Sequence, residues 1–343
     1  YPLGHQMSFL ASSEEDPSSL LGNTFIQNGS QEIIEEFAKN SDVVTYESEN
    51  TAVSIVKEIS QKTMVYPSAK SLYTSQHRGR EKSLFDKLNI PCAPYQMVNN
   101  LSELKIAVEN IGLPAILKTA TDGYDGKGQF LIQSDSQLDQ AWKSMSGVES
   151  ILEGFVNFKR ELSLVAVRGV DNTHEYYPLV ENSHHNGILR LTIAPAQNIS
   201  PKLQQQAESY MRSLLDEMNH VGVLTIELFE TDNNLVVNEM APRVHNSGHW
   251  TIEGARTSQF ENHIRAITET PLGNTSCTHE YSAMINIIGE QGPVDKALTL
   301  KNAHLHLYNK TEREGRKLGH ITITANTVDD LNTSLETLSD FMP

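Results

Sequence analysis

The chain has 343 residues, 38% of them apolar and 20% charged, with a formal net charge of −16. That length exceeds one ordinary core and calls for two or three packed domains, and the composition excludes a disordered chain. The acidity repels nucleic-acid phosphates, and no stretch approaches the roughly 20 consecutive apolar residues of a membrane helix, so neither partner is expected.

In chain order, His5–Leu10 reads as a short strand, and a helical period follows over Ser30–Lys39 with Ile33, Ile34, Phe37 and Ala38 on one face. Asp42–Tyr46 reads as a buried strand and Ala52–Gln61 as a helix, an alternation expected of a parallel α/β domain ending near residue 75. Helices are expected at 80–89 and at 102–111, the second closed by Gly112. Ile116–Lys118 and Gln129–Gln133 read as strands flanking a glycine-rich loop, and 161–168 with 174–180 as a strand pair. Residues 202–218 carry a helical period, 221–240 a hairpin, and 281–343 short strands with a final helix near 328–341. The two cysteines, Cys92 and Cys277, make neither a disulfide framework nor a CxxC metal site. With no basic-then-apolar leader, a reducing, cytoplasmic setting is expected.

Five segments carry chemistry. In the run from Lys118 to Gln129, Gly123, Gly126 and Gly128 let backbone N–H groups approach a phosphate, with Lys118 and Lys127 adding charge. Neither a Walker loop nor GxGxxG is present, and a glycine-rich hairpin without a ligand is the other reading. Glu153-Gly-Phe-Val156, followed by Glu161, offers an apolar edge and a carboxylate, which suits an adenine and a ribose; taken alone, the segment reads rather as a strand with surface acids. Third, a hairpin centred on Asn233 places Glu227 opposite Glu239, a repulsive arrangement unless a cation lies between them or the register turns one acid to water. Such oxygen ligands suit Mg²⁺ completed by substrate phosphates. Fourth, Arg243, His245, Asn246, Ser247 and His249 crowd one loop ahead of Trp250, as an anion with several oxygens would require. Fifth, Lys310, Arg313, Arg316 and Lys317 concentrate positive charge in an acidic chain, either a phosphomonoester site or a solvated basic turn.

Lys118, GYDGKGQ (Gly123–Gln129), Glu153–Val156, the Glu227/Glu239 pair and APRVHNSGHW (Ala241–Trp250) together resemble the 5-(carboxyamino)imidazole ribonucleotide synthases of the ATP-grasp superfamily, over almost the whole chain. The resemblance implies an α/β and α+β architecture. Its parts are a pre-ATP-grasp, Rossmann-like domain over 1–75, an ATP-grasp domain over 76–280 with a lid at about 100–160, and a small β-rich domain over 281–343. It implies a ligase that converts ATP and bicarbonate to carboxyphosphate and ADP, then carboxylates 5-aminoimidazole ribonucleotide for purine (IMP) biosynthesis.

Carried over by position, Arg78, Lys118, Gly123, Tyr124, Asp125, Gly126, Lys127, Gly128, Gln129, Glu153, Gly154, Phe155, Val156, Glu161 and His184 hold ATP. Glu227 and Glu239 hold Mg²⁺, with Asn238 beside them. Arg243, His245 and Asn246 grip bicarbonate and carboxyphosphate. Tyr46, Glu47, Glu49 and Asn50 help hold the ribonucleotide, and Lys310, Arg316 and Lys317 take its phosphate. A homodimer and a downstream mutase that receives the product are also implied.

Family members open with a strand and a GGGQLGRM-like loop, and this chain starts after them, so an incomplete N-terminal domain with open strand edges is expected. His77 and Asp122 stand where the family more often has Asp and Gly, Ser48 replaces an aromatic, and Glu314 replaces a proline or neutral residue. The rivals are another ATP-grasp ligase or transformylase, against which HNSGHW argues, and a non-catalytic nucleotide-binding relative, against which both glutamates and the full loop argue.

Overall fold

A computed structural model describes residues 3–121, 123, 128–232 and 234–342. Tyr124, Asp125, Gly126 and Lys127 of the glycine-rich loop, with Asp122 and the hairpin centre Asn233, lie outside the described residues.

The N-terminal part holds two short parallel pairs, Ser8–Ala11 with Asn23–Ile26 and Val43–Val44 with Met64–Val65. Helix Gln31–Lys39 starts where the Ser30 side chain accepts from the Glu32 N–H, and it buries Ile34, Phe37 and Ala38 against Val44 and Ile59. The strand expected over Asp42–Tyr46 is only two residues long. Tyr46 instead turns its ring into a cluster with Val56 and Leu72.

Next comes a four-stranded antiparallel sheet in the order Tyr95–Val98, Ser150–Gly154, Ala115–Thr119, Gln129–Ile132. Helices Leu101–Ile111 and Leu138–Ser144 cover one face of it and bury Leu104, Ala107, Leu138 and Ala141 on Leu117, Ile132 and Leu152. Gly112 ends the first helix at φ 89, a left-handed conformation that favours glycine.

The larger sheet has nine strands. Its path runs Leu235–Ala241, Gly222–Glu230, Arg160–Arg168, Val180–His185, Ile188–Ala194, Tyr281–Ile288, Lys317–Ala325, Ala303–Leu307, and His174–Tyr176 pairs with the end of Arg160–Arg168. Period-two alternation divides its side chains. Leu162, Leu164, Ala166, Leu224, Ile226 and Leu228 meet helix Pro201–Met218, whereas Val165, Val167 and Val223 meet Trp250 and helix Gln259–Ile267. Tyr281–Ile288 pairs directly with Ile188–Ala194, so segments 76–280 and 281–343 share one sheet. The tail strands are longer than the sequence reading gave, nine residues at Lys317–Ala325, and wholly buried beyond its first residue. The strand expected over 174–180 stops at Tyr176, because Pro178 has no N–H for a ladder.

His220 stitches the N-terminal part to the large sheet. Its Nε2 donates to the Val223 carbonyl at 3.0 Å and its Nδ1 accepts from the Ser71 hydroxyl at 3.1 Å. Burial pushes His220 down to about 3, and likewise His245, His249 and His320, with His263 at about 4. The unfolded chain takes up protons below about 6.5 that these folded imidazoles refuse, so stability falls as pH drops from about 6.5 toward 3. Urea midpoints are therefore expected to decline steeply between pH 6.5 and 4. In His220→Gln that decline is shallower despite a lower midpoint at pH 7; an unchanged slope would contradict the assignment.

Candidate functional site

Helix Arg78–Lys87 lies between the two sheets. Its N-cap is His77, whose Nδ1 accepts from the N–H groups of Gly79 at 3.1 Å and Arg80 at 3.4 Å. The imidazole so does the capping work of the aspartate that the sequence comparison leads one to expect, and its Nε2 meets Glu149 at 3.2 Å. This start aims Arg78 at the larger sheet, where Nη1 reaches Glu239 Oε2 at 3.0 Å.

On the smaller sheet, Glu153 Oε2 lies 3.0 Å from Lys118 Nζ and 3.4 Å from Lys82 Nζ, all three side chains nearly excluded from solvent. Burial raises the Glu153 carboxyl, but the two ammonium groups outweigh it and hold the group at about 2. Burial lowers Lys118, offset in part by Glu153. Gly154 and Phe155 continue this edge, with Phe155 47% exposed and Val156 half-buried, an apolar rim bordering the cleft. Gly128 has φ 69, and a Cβ there would stand 2.7 Å from Thr119 Oγ1, so the loop can return to Gln129, opposite Lys118, only through glycine.

Across from them, Glu227 and Glu239 are direct cross-strand partners, the pairing the hairpin reading required, although the ladder nearer the turn, Leu228↔Val237 to Glu230↔Leu235, does not keep the register centred on residue 233. A register shift follows Glu227, which breaks the ladder beside the pair. Burial and the Glu239 charge raise Glu227 to about 7. Burial also opposes ionisation of Glu239, but Arg78 and Lys118 outweigh it and lower its pKa. The Glu239 side chain keeps 40% of its exposure although protein surrounds it at longer range, as at the floor of an open cleft. Burial would lower His184, yet Glu161, 2.5 Å from its Nδ1, raises it, helped by Glu227 and Glu239. Among the described residues no group of three or more His, Cys, Asp or Glu is placed to hold a metal. Two facing carboxylates fit Mg²⁺ of the kind that takes one or two protein carboxylates and completes its shell with phosphates and water.

Strand Leu235–Ala241 leads directly into the polar loop. Arg243 grips Glu49 with two parallel bonds, Nη2 to Oε1 at 2.7 Å and Nε to Oε2. His245 Nδ1 accepts from the Ser247 N–H at 3.3 Å and lies 2.8 Å from the Ser247 hydroxyl, so the neutral ring carries its proton on Nε2, 3.5 Å from Glu227 Oε1. Gln259 fixes the loop from behind, accepting from the His245 N–H at 2.9 Å and donating to its carbonyl at 2.7 Å. A Cβ on Gly248 would meet the Gln259 amide at 2.5 Å, which explains the small residue there. Both amide atoms of Asn246 are buried without a protein partner, as expected of a group kept for a ligand.

Arg78, Lys118, Glu153, Glu161, His184, Glu227, Asn238, Glu239, Arg243 and His245 are therefore brought together as one connected group of charged and polar side chains. Of the basic segment, Lys317 stands near enough to depress His245 and His249. Arg316 turns to Thr311, with Nη1 2.8 Å from Oγ1, and Lys310 lies 5.3 Å from the centre of the Tyr308 ring. Tyr46 is core-packed with its hydroxyl buried and unpartnered, and Glu47 is exposed; Glu49, two residues on, makes the contact with Arg243. The sequence reading missed Lys82, Glu81 and Gln259. A Lys on a helix carries no distinguishing pattern, and Gln259 sits outside any motif.

Known proteins share this fold and much of this sequence. Residues 83–260 match the ATP-grasp domain, 282–334 the phosphoribosylaminoimidazole carboxylase C-terminal domain, and 1–76 the ribonucleotide synthetase pre-ATP-grasp domain. The N5-carboxyaminoimidazole ribonucleotide synthase of Pseudomonas aeruginosa is 45% identical over 94% of this chain and 89% of that protein. The crystal structure of the synthetase from Thermus thermophilus superposes with TM-score 0.94 at 43% identity, covering 99% of this chain and 93% of that one. An Aspergillus clavatus synthase in complex with ADP and 5-aminoimidazole ribonucleotide superposes with TM-score 0.86 at 29% identity, over 97% of both chains. Two carboxylates facing a buried Lys118–Glu153–Lys82 node, with an Arg-His-Asn loop beside them, are thus held on the fold of these relatives, and the chain belongs to the N5-carboxyaminoimidazole ribonucleotide synthase family of ATP-grasp ligases.

Proposed function

We propose that the chain carboxylates 5-aminoimidazole ribonucleotide to N5-carboxyaminoimidazole ribonucleotide, with ATP and bicarbonate as co-substrates, as a ligase of purine biosynthesis. The observation that carries this reading is the Glu227–Glu239 pair, set between the Lys118–Glu153–Lys82 node on one side and Arg243, His245 and Asn246 on the other. ATP lies between the two sheets. Lys118 and the loop from Gly123 to Gln129 meet its phosphates, Glu153 to Val156 its base, and Glu161 and His184 its sugar side. Glu227 and Glu239 hold Mg²⁺, with Asn238 beside them; when bound, the ion neutralises phosphate charge and orients the γ-phosphoryl group.

Arg243, neutral His245 and Asn246 fix bicarbonate in line with the γ-phosphorus. One bicarbonate oxygen bonds to phosphorus as ADP leaves, giving carboxyphosphate. The exocyclic amine of the ribonucleotide then bonds to the carboxyl carbon, or to CO₂ released from it, while phosphate departs and the amine loses a proton. Positioning and charge complementarity suffice for such a sequence, without a covalent nucleophile on the protein. Carboxyphosphate decomposes in water, so the segment at about 100–160 closes as a lid over it. Tyr46, Glu47, Lys310, Arg316 and Lys317 serve the ribonucleotide, with Lys317 near the reaction centre. The parts are 1–75, 76–280 and 281–343; the enzyme works as a homodimer in the cytoplasm and passes its labile product to a mutase. No helix among the described residues is long and apolar enough to cross a membrane.

Carbon tracing tests the chemistry. With ¹³C-bicarbonate, MgATP and the ribonucleotide, label is expected on the exocyclic nitrogen in an acid-labile product. Label from formate, or none from bicarbonate, would favour a transformylase or a different ligase.

A further inference from the structure

Two ionisable residues of the helix between the sheets are almost wholly buried, Glu81 2% exposed and Lys82 1%, and beyond the contact of Lys82 with Glu153 neither has a role in the chemistry above. Their contacts are specific. The Met240 N–H donates to Glu81 Oε1 at 2.6 Å, and Lys82 Nζ donates to the Asn238 carbonyl at 2.8 Å. These backbone groups stand immediately either side of Glu239. One turn back on the same helix, Arg78 holds the Glu239 carboxylate itself at 3.0 Å. Three residues of one helix thus fix one glutamate through its side chain, the peptide before it and the peptide after it. Lys82 adds a second function, since its ammonium also lies 3.4 Å from Glu153 Oε2 on the other sheet.

Strand Leu235–Ala241 is the edge of its sheet, and among the described residues its open side is bridged at Val237, whose N–H donates to the Pro91 carbonyl at 2.8 Å, but has no further strand along it. Main-chain groups there need partners when buried, and Glu81 and Lys82 supply them for Met240 and Asn238. A buried Lys and a buried Glu are costly beside apolar residues that would pack as well, which argues that their geometry is what is being kept. We infer that Glu81 and Lys82 are positioning residues. Glu81 sets the edge strand so that Glu239 meets the metal, and Lys82 couples that strand to the nucleotide carboxylate Glu153, so that metal and nucleotide sites keep one spacing.

This inference rests on Glu239 being a metal ligand, and the test separates the two. Mn²⁺ is titrated against holoprotein with saturating ADP, free Mn²⁺ being read by electron paramagnetic resonance, and ADP affinity is measured separately without metal. Supporting groups of metal ligands typically matter by about 10- to 100-fold in affinity. Glu81→Met is expected to weaken Mn²⁺ at least about tenfold with metal-free ADP binding little changed, Glu81→Gln, which keeps the acceptor, to restore Mn²⁺ binding, and Lys82→Met to weaken both. A folded Glu81→Met that binds Mn²⁺ like the parent, while Glu239→Gln does not, overturns the inference alone. If Glu239→Gln also binds Mn²⁺ like the parent, the metal assignment fails and the inference with it. Should Glu81→Met not fold, Lys82→Met decides: parental Mn²⁺ and ADP affinities in that variant overturn the inference.

Discussion

Glu239→Gln is expected to lower kcat for ATP cleavage by about 10²- to 10³-fold, the scale of losing one preorganised charge from a phosphoryl-transfer site. The protein should still fold. Glutamine fills the same volume, and the Glu239 side chain lies at the cleft floor with 40% exposure, so no sealed cavity opens. Arg78 loses its charged partner, but the glutamine carbonyl oxygen can still accept from its guanidinium, and its backbone N–H keeps the Ala120 carbonyl at 2.9 Å. The partner carboxylate also responds. Glu227 is raised to about 7 by burial and by the Glu239 charge, so removing that charge relaxes it downward. The variant consequently retains one ionised ligand and residual metal binding, while turnover is lost. Steady-state ADP release and a melting curve check this; full activity would refute the metal assignment.

The largest stability effect is expected at Glu153. Its carboxylate holds Lys118 at 3.0 Å and Lys82 at 3.4 Å, with the three side chains 4%, 9% and 1% exposed in that order. Glu153→Leu leaves two ammonium groups facing each other in a buried site, and breaking such a node typically costs about 3–5 kcal/mol. Lys118 can relieve part of it by losing its proton, since burial already lowers its pKa. The expected result is a stability loss that shrinks as pH is raised. Denaturant midpoints at pH 7 and 9 check the magnitude and the direction; a loss independent of pH would show that packing rather than charge governs this node.

Much of the site was legible in the sequence because its chemistry is local. Asp232 and Asn234 mark a hairpin turn between apolar strands, which brings Glu227 and Glu239 close; the ladder beside the turn, Leu228↔Val237 to Glu230↔Leu235, would by itself set Glu227 against Asn238, and a register shift after Glu227 sets it opposite Glu239 instead. The loop from Arg243 to His249 follows directly in the chain. Helix Pro201–Met218 was visible from its period, with Ala207, Met211, Leu214, Leu215 and Met218 buried. What escaped depends on pairing distant in the chain. The strands Val180–His185 and Ile188–Ala194 carry polar residues, such as Asn182 and Thr192, that look exposed but bond to each other across the ladder at 2.9 Å. That the C-terminal strands extend the large sheet is set by the pairing Ile193↔Ala283, which no local pattern announces. Helix Gln259–Ile267 buries Gln259, Asn262 and His263 beside Ala266 and Ile267, so polar side chains share its inner face and their part in the site shows only with their partners. Lys82 was hidden for a similar reason, because a buried lysine is unremarkable in sequence until its partners Glu153 and Asn238 are seen.

The most direct test is ADP formation with Mg²⁺, ATP and bicarbonate, measured with and without 5-aminoimidazole ribonucleotide. The predicted result is low basal release, strong stimulation by the ribonucleotide, and loss of that stimulation when bicarbonate is removed. ADP release indifferent to the ribonucleotide, or none under any combination, would contradict the account.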